Sequence, residues 1–415
     1  MTAYLCERAW VDGVVHDDVL VEVDASHITR VTLGVRNSRP GGPVSYSKRE
    51  FHRPAGETHA RPGLTIPGLV NDHSHAFHRA LRGRTQRGRG TFWTWREQMY
   101  AVAGRLEPDT YRALATRVFR EMLAAGYTSV TEFHYLHHQQ DGTPYPEPNA
   151  MREALEQAAQ EVGIRLTLLD TCYLSSGFGA PVEGVQVRYS DGTVERWAER
   201  AGAGPAAIHS VRAVPREALP AFRGRDPLHV HLSEQPAENE ACLAAYGVTP
   251  TRLLHEADLL GPTTTVVHAT HLTDDDIELL GTTGTNVCIT PTTERDLADG
   301  IGPARRLAEA GCRLTIGSDS HAVVDPFEEL RGLEMDERLA TRERGHWSAA
   351  ELLDIGARGA RIAVGEPADL VTLDTRSPRT SDTGADEHTA VFAATGADVT
   401  HVVVGGREVD LTWPS

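Results

Sequence analysis

The sequence predicts an α/β protein: a parallel (β/α)8, TIM-like barrel carrying a small β-domain assembled from both chain ends. Three observations lead there. Short β-rich runs alternate with amphipathic helical stretches between residues 64 and 363, giving eight strand candidates. The two ends carry only short strand-like runs with turn residues between them. Histidines and carboxylates recur at the C-terminal ends of the strand candidates, the face on which barrel enzymes place their chemistry.

The predicted barrel strands are Leu64–Val70, Thr128–His134, Arg165–Tyr173, Ala206–Val214, Leu228–Glu234, Thr264–Thr270, Asn286–Pro291 and Arg313–Ser320. Each is short, apolar or β-branched and bounded by turn or cap residues. The stretches Pro108–Ala125, Asn149–Val162, Pro236–Tyr246, Asp274–Leu280 and Pro303–Ala310 show helical periodicity between them. A Rossmann-type sheet is the main rival, but no strand candidate is followed by GxGxxG. Residues 1–63 hold the runs Leu5–Val11, Val19–Val23 and Ile28–Leu33, and residues 364–415 hold Ala368–Leu373 and His401–Val404. Each end alone is too short for a good core, so they are expected to pair into one unit. The polar run Pro378–His388 reads as a mobile loop.

Composition narrows the function. The chain has 415 residues, 40% of them hydrophobic and 24% charged, which is globular and enough for a barrel plus a smaller domain. A net charge of −17 argues against nucleic acid or an anionic membrane as the main partner. Neither a membrane-spanning run nor a signal-peptide pattern is visible. The five scattered cysteines form no CxxC and fit buried thiols in a reducing cytoplasm. Lys48 is the only lysine, so a phosphate-binding P-loop, a pyridoxal-phosphate Schiff base and a lysine-bridged dinuclear metal centre are excluded unless Lys48 serves them. Against the acidic background stands a basic run, Arg79, Arg82, Arg84, Arg87, Arg89 and Arg96, most of which reads as a solvated loop.

The chemistry lies in four motifs. Strand one ends in His73-Ser-His75, whose i, i+2 spacing puts both imidazoles on one face of a strand. Strand five ends His229-Val-His231-Leu-Ser-Glu234, strand six Val267-His268-Ala-Thr-His271, and strand eight Ile316-Gly-Ser-Asp319-Ser-His321. Three imidazoles and a carboxylate would bind one divalent ion, zinc best, although iron and manganese also suit such donors. Such an ion lowers the pKa of bound water to ~7, and a free carboxylate such as Glu234 can then move a proton to a leaving nitrogen. Each residue also has an ordinary reading. His229, one layer deeper than His231, reads as a hydrogen-bonded core histidine; His271 falls in a loop; His137 and His138 read as solvent-exposed; Asp319 alone could be a helix cap. Arg96 reads as a helix-surface arginine packed on Trp93 or Trp95.

Together HxH, HxxE, the strand-six histidine and SDS-H resemble the amidohydrolase superfamily, in its mononuclear branch of deaminases and deiminases. Gly365-Glu-Pro-Ala-Asp-Leu-Val-Thr-Leu-Asp374 resembles the C-terminal β-sandwich signature of that superfamily. The resemblance covers nearly the whole chain. It implies His73, His75, His231 and Asp319 as metal ligands, Asp319 also as proton acceptor, and Glu234 and His268 as catalytic partners. Four further segments are similar to the N-formimidoyl-L-glutamate deiminases of histidine degradation: His73-Ser-His-Ala-Phe-His-Arg-Ala80, Phe92-Trp-Thr-Trp-Arg-Glu97, Gly126-Tyr-Thr-Ser-Val-Thr-Glu-Phe-His-Tyr135 and His209-Ser-Val-Arg212. That similarity implies a homodimer, and substrate contacts from Arg96, Tyr135, His209 and Arg212. It departs from the family at His78, where glutamine is usual, and at Gly356–Pro367, a shorter passage out of the barrel. The substrate so implied is a small acid with two carboxylates, and bidentate arginines are the natural partners for those. Two other readings stay open: a deaminase of a purine, pyrimidine or adenosine-like ring, and a catalytically inactive relative.

Overall fold

The computed structural model describes residues 2–37, 45–46 and 56–412. Lys48 lies outside the described residues. The barrel strands are β1 (Leu69–Ser74), β2 (Tyr127–His134), β3 (Arg165–Cys172), β4 (Ala206–Ser210), β5 (Leu228–Leu232), β6 (Thr264–His268), β7 (Asn286–Ile289) and β8 (Leu314–Ile316). They run in sequential order, every neighbour parallel, as one eight-stranded sheet. Helices alternate with them as expected: Pro108–Ala125 has proline in its first turn and a capping box on Glu107, and it stops at Gly126, whose φ of 103° only glycine adopts readily.

The sheet closes where β8 meets β1. Ser74 and Asp319 form a parallel bridge, the His75 amide donates to the Asp319 carbonyl at 3.3 Å, and the Asp319 amide donates to that of His73 at 3.0 Å. Gly317 permits this approach, since a Cβ there would lie 2.7 Å from the His73 carbonyl oxygen. Side chains lock the seam. The Asn71 Nδ2 donates to Ser318 Oγ at 2.7 Å and its Oδ1 accepts the Ser318 amide at 3.0 Å. The buried Asp72 carboxylate accepts from Thr131 and Thr315 Oγ1 and from Arg358 Nη1, at 3.1, 2.8 and 2.8 Å. It ties β1 to β2, to β8 and to the segment leaving the barrel.

Both chain ends build the second unit, a seven-stranded mixed sheet. Its order is Arg407–Glu408, Val399–Val404, Leu370–Leu373, Glu57–Pro67, Thr2–Val11, Val14–Asp24 and His27–Thr32. Thr2–Val11 and Glu57–Pro67 are parallel and the other pairs antiparallel. The first hairpin turns on Asp12-Gly13, both at positive φ, the two-residue turn that matches strand twist. Tyr4, Cys6, Val19, Val21 and Val403 form an apolar cluster, and Ala3, Leu5 and Leu20 form a second one. All five cysteines are free and buried. No helix among the described residues is long and apolar enough to cross a membrane.

Two expectations need correction. The predicted strand Leu64–Val70 is two strands, because Leu64–Pro67 pairs with Leu370–Leu373 in the outer sheet and β1 starts at Leu69. Burial is continuous through both halves, so hydrophobicity does not mark the break; Gly68 does, packed where a Cβ would lie 2.2 Å from Thr128 Oγ1. The stretch Pro378–His388 is tied down rather than loose. Arg379 pairs with buried Asp398 at 2.8 Å, Thr383 bonds Thr389 at 2.8 Å, and His388 already belongs to the helix Glu387–Phe392. The short passage 356–367 docks on the outer sheet, with the Gly365 amide on the Ile28 carbonyl at 2.8 Å.

Candidate active site

The C-terminal ends of β1, β5 and β8 bring His73, His75, His231 and Asp319 together, each offering a ligand atom within 4.8 Å of the others. His73 Nε2 lies 3.1 Å from His231 Nε2, which lies 3.3 Å from His75 Nε2. Asp319 Oδ1 is 3.3 Å from His73 Nε2 and 3.4 Å from His75 Nε2. The tautomers follow from the partners. His75 Nδ1 sits 2.9 Å from the Phe133 carbonyl and His231 Nδ1 2.7 Å from that of His209, and a carbonyl only accepts. Both rings therefore carry their proton on Nδ1 and turn a bare Nε2 lone pair inward. Burial holds both imidazoles well below their ordinary pKa, so charging does not relieve the crowding. Burial alone would raise Asp319, but a hydrogen bond from His73 and the surrounding imidazoles hold it well below the usual carboxylate range. Two bare imidazole lone pairs converging beside an ionised carboxylate suit a divalent cation, and this donor set fits one.

Glu234 and His268 flank the cluster. His268 Nε2 is 3.8 Å from Glu234 Oε1 and 3.8 Å from Asp319 Oδ2. Burial pushes the Glu234 carboxyl up to about 7, with the imidazole of His268 opposing. Burial would depress His268, but the carboxylates of Glu234, Glu294 and Asp319 outweigh it and hold the ring above its ordinary value.

A cavity opens above the cluster, lined by His75, His78, Trp95, Arg96, Tyr100, Tyr135, Tyr173, Tyr189, His209, Arg212, His231, Glu234, Glu238, His268 and Asp319 among others. Every sequence-predicted site residue is there except His73, which sits behind the wall. Arg96 does stack on Trp93, its guanidinium carbon 5.4 Å from the ring centre, and its Nε donates to Tyr100 Oη at 2.5 Å, yet it also lines the cavity. The Arg212 guanidinium makes no hydrogen bond or ion pair with the described residues. Both arginines act on the same groups: they hold Tyr173 down against the burial that raises it, and add to the burial that lowers His209. His78 turns Nε2 to Tyr135 Oη at 2.9 Å, and its buried Nδ1 has no partner.

Four ordinary readings also meet the structure. His137 and His138 are buried, at 1% and 3% exposure, contrary to expectation. Their backbone amides both donate to the Arg188 carbonyl, which folds the polar run inward, and His138 Nε2 lies 3.0 Å from Asp191 Oδ1. His229 is in the core as expected but unbonded, both ring nitrogens lacking a partner. His271 lies past β6 in a loop, on the Asp299 carbonyl at 2.8 Å. The next helix, Pro326–Thr341, is capped by Asp325 and not by Asp319. The basic run is solvated at Arg84, Arg87 and Arg89, whereas Arg79 and Arg82 pair with Glu121. Sequence reasoning missed Glu132, which takes the Ser74 hydroxyl and the Ala76 amide, both at 2.6 Å, and so braces the strand end that carries His73 and His75. It also missed Glu238, whose Oε2 accepts the Ser233 amide at 3.0 Å and steadies the turn before Glu234. Each is a lone acid, and only its distance from a strand end could have flagged it.

The Amidohydrolase family model matches residues 64–409. The chain belongs to that family. It is 36% identical over 384 residues to the formimidoylglutamate deiminase of Pseudomonas aeruginosa, covering 84% of each chain. It is 29% identical over 367 residues to a 5-methylthioadenosine/S-adenosylhomocysteine deaminase of Syntrophobacter fumaroxidans, covering 83% of this chain and 80% of that one. Among solved structures, an amidohydrolase from Brucella melitensis superposes with a TM-score of 0.85 at 29% identity, covering 98% of this chain and 94% of that one. An adenosine deaminase from Xanthomonas campestris with bound zinc shares the fold, with a TM-score of 0.81 at 23% identity over 98% of this chain and 92% of that one. The protein is thus an enzyme, a hydrolase acting on carbon–nitrogen bonds.

Proposed function

We propose that this hydrolase is a deiminase that converts N-formimidoyl-L-glutamate and water to N-formyl-L-glutamate and ammonia, a step of histidine degradation. The observation that carries the reading is the pair of cavity arginines. The Arg212 guanidinium has no hydrogen-bond partner among the described residues and that of Arg96 bonds only through Nε, so both have donors free for a ligand with two carboxylates. Tyr135, His209 and His78 complete the substrate wall. A neutral ring would leave the free donors of these two half-buried guanidiniums without carboxylates from the ligand, which argues against such a ligand.

His73, His75, His231 and Asp319 would hold one divalent ion, zinc in this proposal; when bound it supplies Lewis acidity that acidifies water and polarises the amidine. The chain's own groups do the rest. As water adds to the formimidoyl carbon, Asp319, with His268 beside it, assists removal of its proton, which passes to Glu234. Glu234 carries a proton to the departing nitrogen, which leaves as ammonia, and His268 steadies the developing charge. We assign residues 1–68 and 364–415 to the β-domain and 69–363 to the barrel, the first boundary lying beyond the strand that pairs with Leu370–Leu373, and take the enzyme to be a cytoplasmic homodimer; free buried thiols suit a reducing compartment. An ammonia-release assay tests the reading, with N-formimidoyl-L-glutamate against guanine, cytosine and 5-methylthioadenosine. Preference for a ring would overturn it.

A further inference from the structure

We infer that Thr290 and Glu294 form a positioning relay behind His268, fixing a proton on its Nδ1 and turning its Nε2 toward the reacting atoms. This rests on the role proposed above for His268. The ring is addressed from two sides. Nε2 faces Glu234 and Asp319, at 3.8 Å from each. Nδ1 points away from the cavity, 3.1 Å from Thr290 Oγ1 and 3.6 Å from Glu294 Oε1. Glu294 Oε1 in turn lies 3.1 Å from the Thr290 amide and 3.4 Å from the Thr290 hydroxyl.

The direction of the chain follows from counting protons. A hydroxyl has one proton to give, and a carboxylate only accepts. The Thr290 proton therefore points at Glu294, which leaves a lone pair of Oγ1 to accept from His268 Nδ1–H. The opposite polarity would set a hydroxyl lone pair against the carboxylate oxygen in a site where water does not screen them, since Thr290 and Glu294 are 0% and 5% exposed. Local structure holds both partners. Thr290 is the N-cap of the short helix Pro291–Leu297, and its carbonyl accepts the Thr293 and Glu294 amides, each at 3.0 Å. Neither residue lines the cavity, so neither is a catalytic residue; they act through the imidazole.

The test compares Thr290→Val, Thr290→Ser, Glu294→Gln and the reference His268→Gln in the zinc-loaded enzyme, reading kcat, KM, bound metal and Tm. Thr290→Val should lower kcat about ten- to a hundred-fold, the usual effect of removing a group that orients a working imidazole. KM and bound metal should hold, and Thr290→Ser, which keeps the hydroxyl, should restore turnover. Equal losses in Thr290→Ser and Thr290→Val would overturn the relay, as would wild-type turnover in Thr290→Val beside an inactive His268→Gln. Wild-type turnover in His268→Gln would remove the role of the ring and the relay with it. A second readout does not depend on turnover, on the relay variants folding or on the substrate. Long-range 1H–15N spectra of the wild-type holoenzyme, with His268→Gln identifying the ring, should show Nδ1 protonated at neutral pH, and an unprotonated Nδ1 overturns the proposal. If N-formimidoyl-L-glutamate releases no ammonia, the substrate reading fails while that spectrum still decides the relay.

Discussion

Replacing Arg212 with Met tests the substrate reading where it is most exposed. The guanidinium lines the cavity and bonds to no described residue, so truncation removes little from the resting protein and much from a bound carboxylate. A charge-assisted hydrogen bond is worth roughly 1.5–3 kcal/mol, and at about 1.4 kcal/mol per tenfold the loss in kcat/KM on N-formimidoyl-L-glutamate should be about ten- to a hundred-and-fifty-fold. A neutral formimidoyl amine lacking both carboxylates should be a poor substrate for the wild type and change little in the variant. A second effect follows from charge. Arg212 helps hold the Glu234 carboxyl down against the burial that pushes it up to about 7. Glu234 must be ionised to take a proton, so activity rises with pH through its pKa. Removing the cation raises that pKa further, and the acid limb should move to higher pH. The measurements are ammonia release on both substrates across pH, with Tm and bound metal as controls. Equal fractional losses on acidic and neutral substrates, with an unmoved acid limb, would refute the reasoning and favour a ring deaminase.

Three other outcomes follow from the geometry. Purified protein should carry close to one tightly bound divalent ion per chain by elemental analysis; Asp319→Asn should lose most of it and most activity, and an active, metal-free variant would contradict the donor assignment. Glu234→Gln should keep its metal and its substrate affinity while turnover falls at least ~10²-fold, the worth of a positioned proton carrier; loss of metal instead would make Glu234 a ligand. Gly317→Ala puts a Cβ 2.7 Å from the His73 carbonyl oxygen. That overpacking should cost roughly 1–3 kcal/mol in denaturant unfolding and weaken metal retention, and a variant with unchanged stability would show that the seam can yield.

What was legible in the sequence is what repeats or clusters. Strand and helix periods fix elements such as Pro108–Ala125 and Arg165–Cys172 closely, because one face of each is buried and its spacing is dictated by the element's pitch. The metal-type donors were visible because HxH, HxxE and SDS-H are pairs or triples at strand ends. Residues that act singly were not. Thr290 and Glu294 sit in a Thr-Pro-Thr-Thr-Glu run that reads as a plain helix start, and Glu132 passes for one polar residue in a strand. The run 64–70 misled because two sheets bury consecutive halves of it, and only Gly68 marks the crossing. His137 and His138 misled because polarity predicts exposure only when a segment lacks internal partners, and these find Arg188, Thr171 and Asp191.

The closing seam of the barrel and the metal-type donor set are built from the same residues. Asp319 pairs its backbone with His73 and His75, the two rings its carboxylate meets, so the distance between donors on β1 and β8 is set by strand pairing rather than by flexible side chains. That pairing also holds an unfavourable backbone: Asp319 and His321 have φ of 38° and 58°, left-handed values that a residue with a Cβ adopts at a cost of order 1 kcal/mol or more. The strain persists because Asn71, Asp72 and Ser318 over-determine the seam beneath it, each with buried, directional hydrogen bonds. A residue that turns out of the strand this sharply aims its carboxylate back across the barrel mouth instead of along the strand. The fold therefore spends part of its closure energy on aiming one carboxylate, and a change that loosens the seam should disturb the donor set before it disturbs the strands.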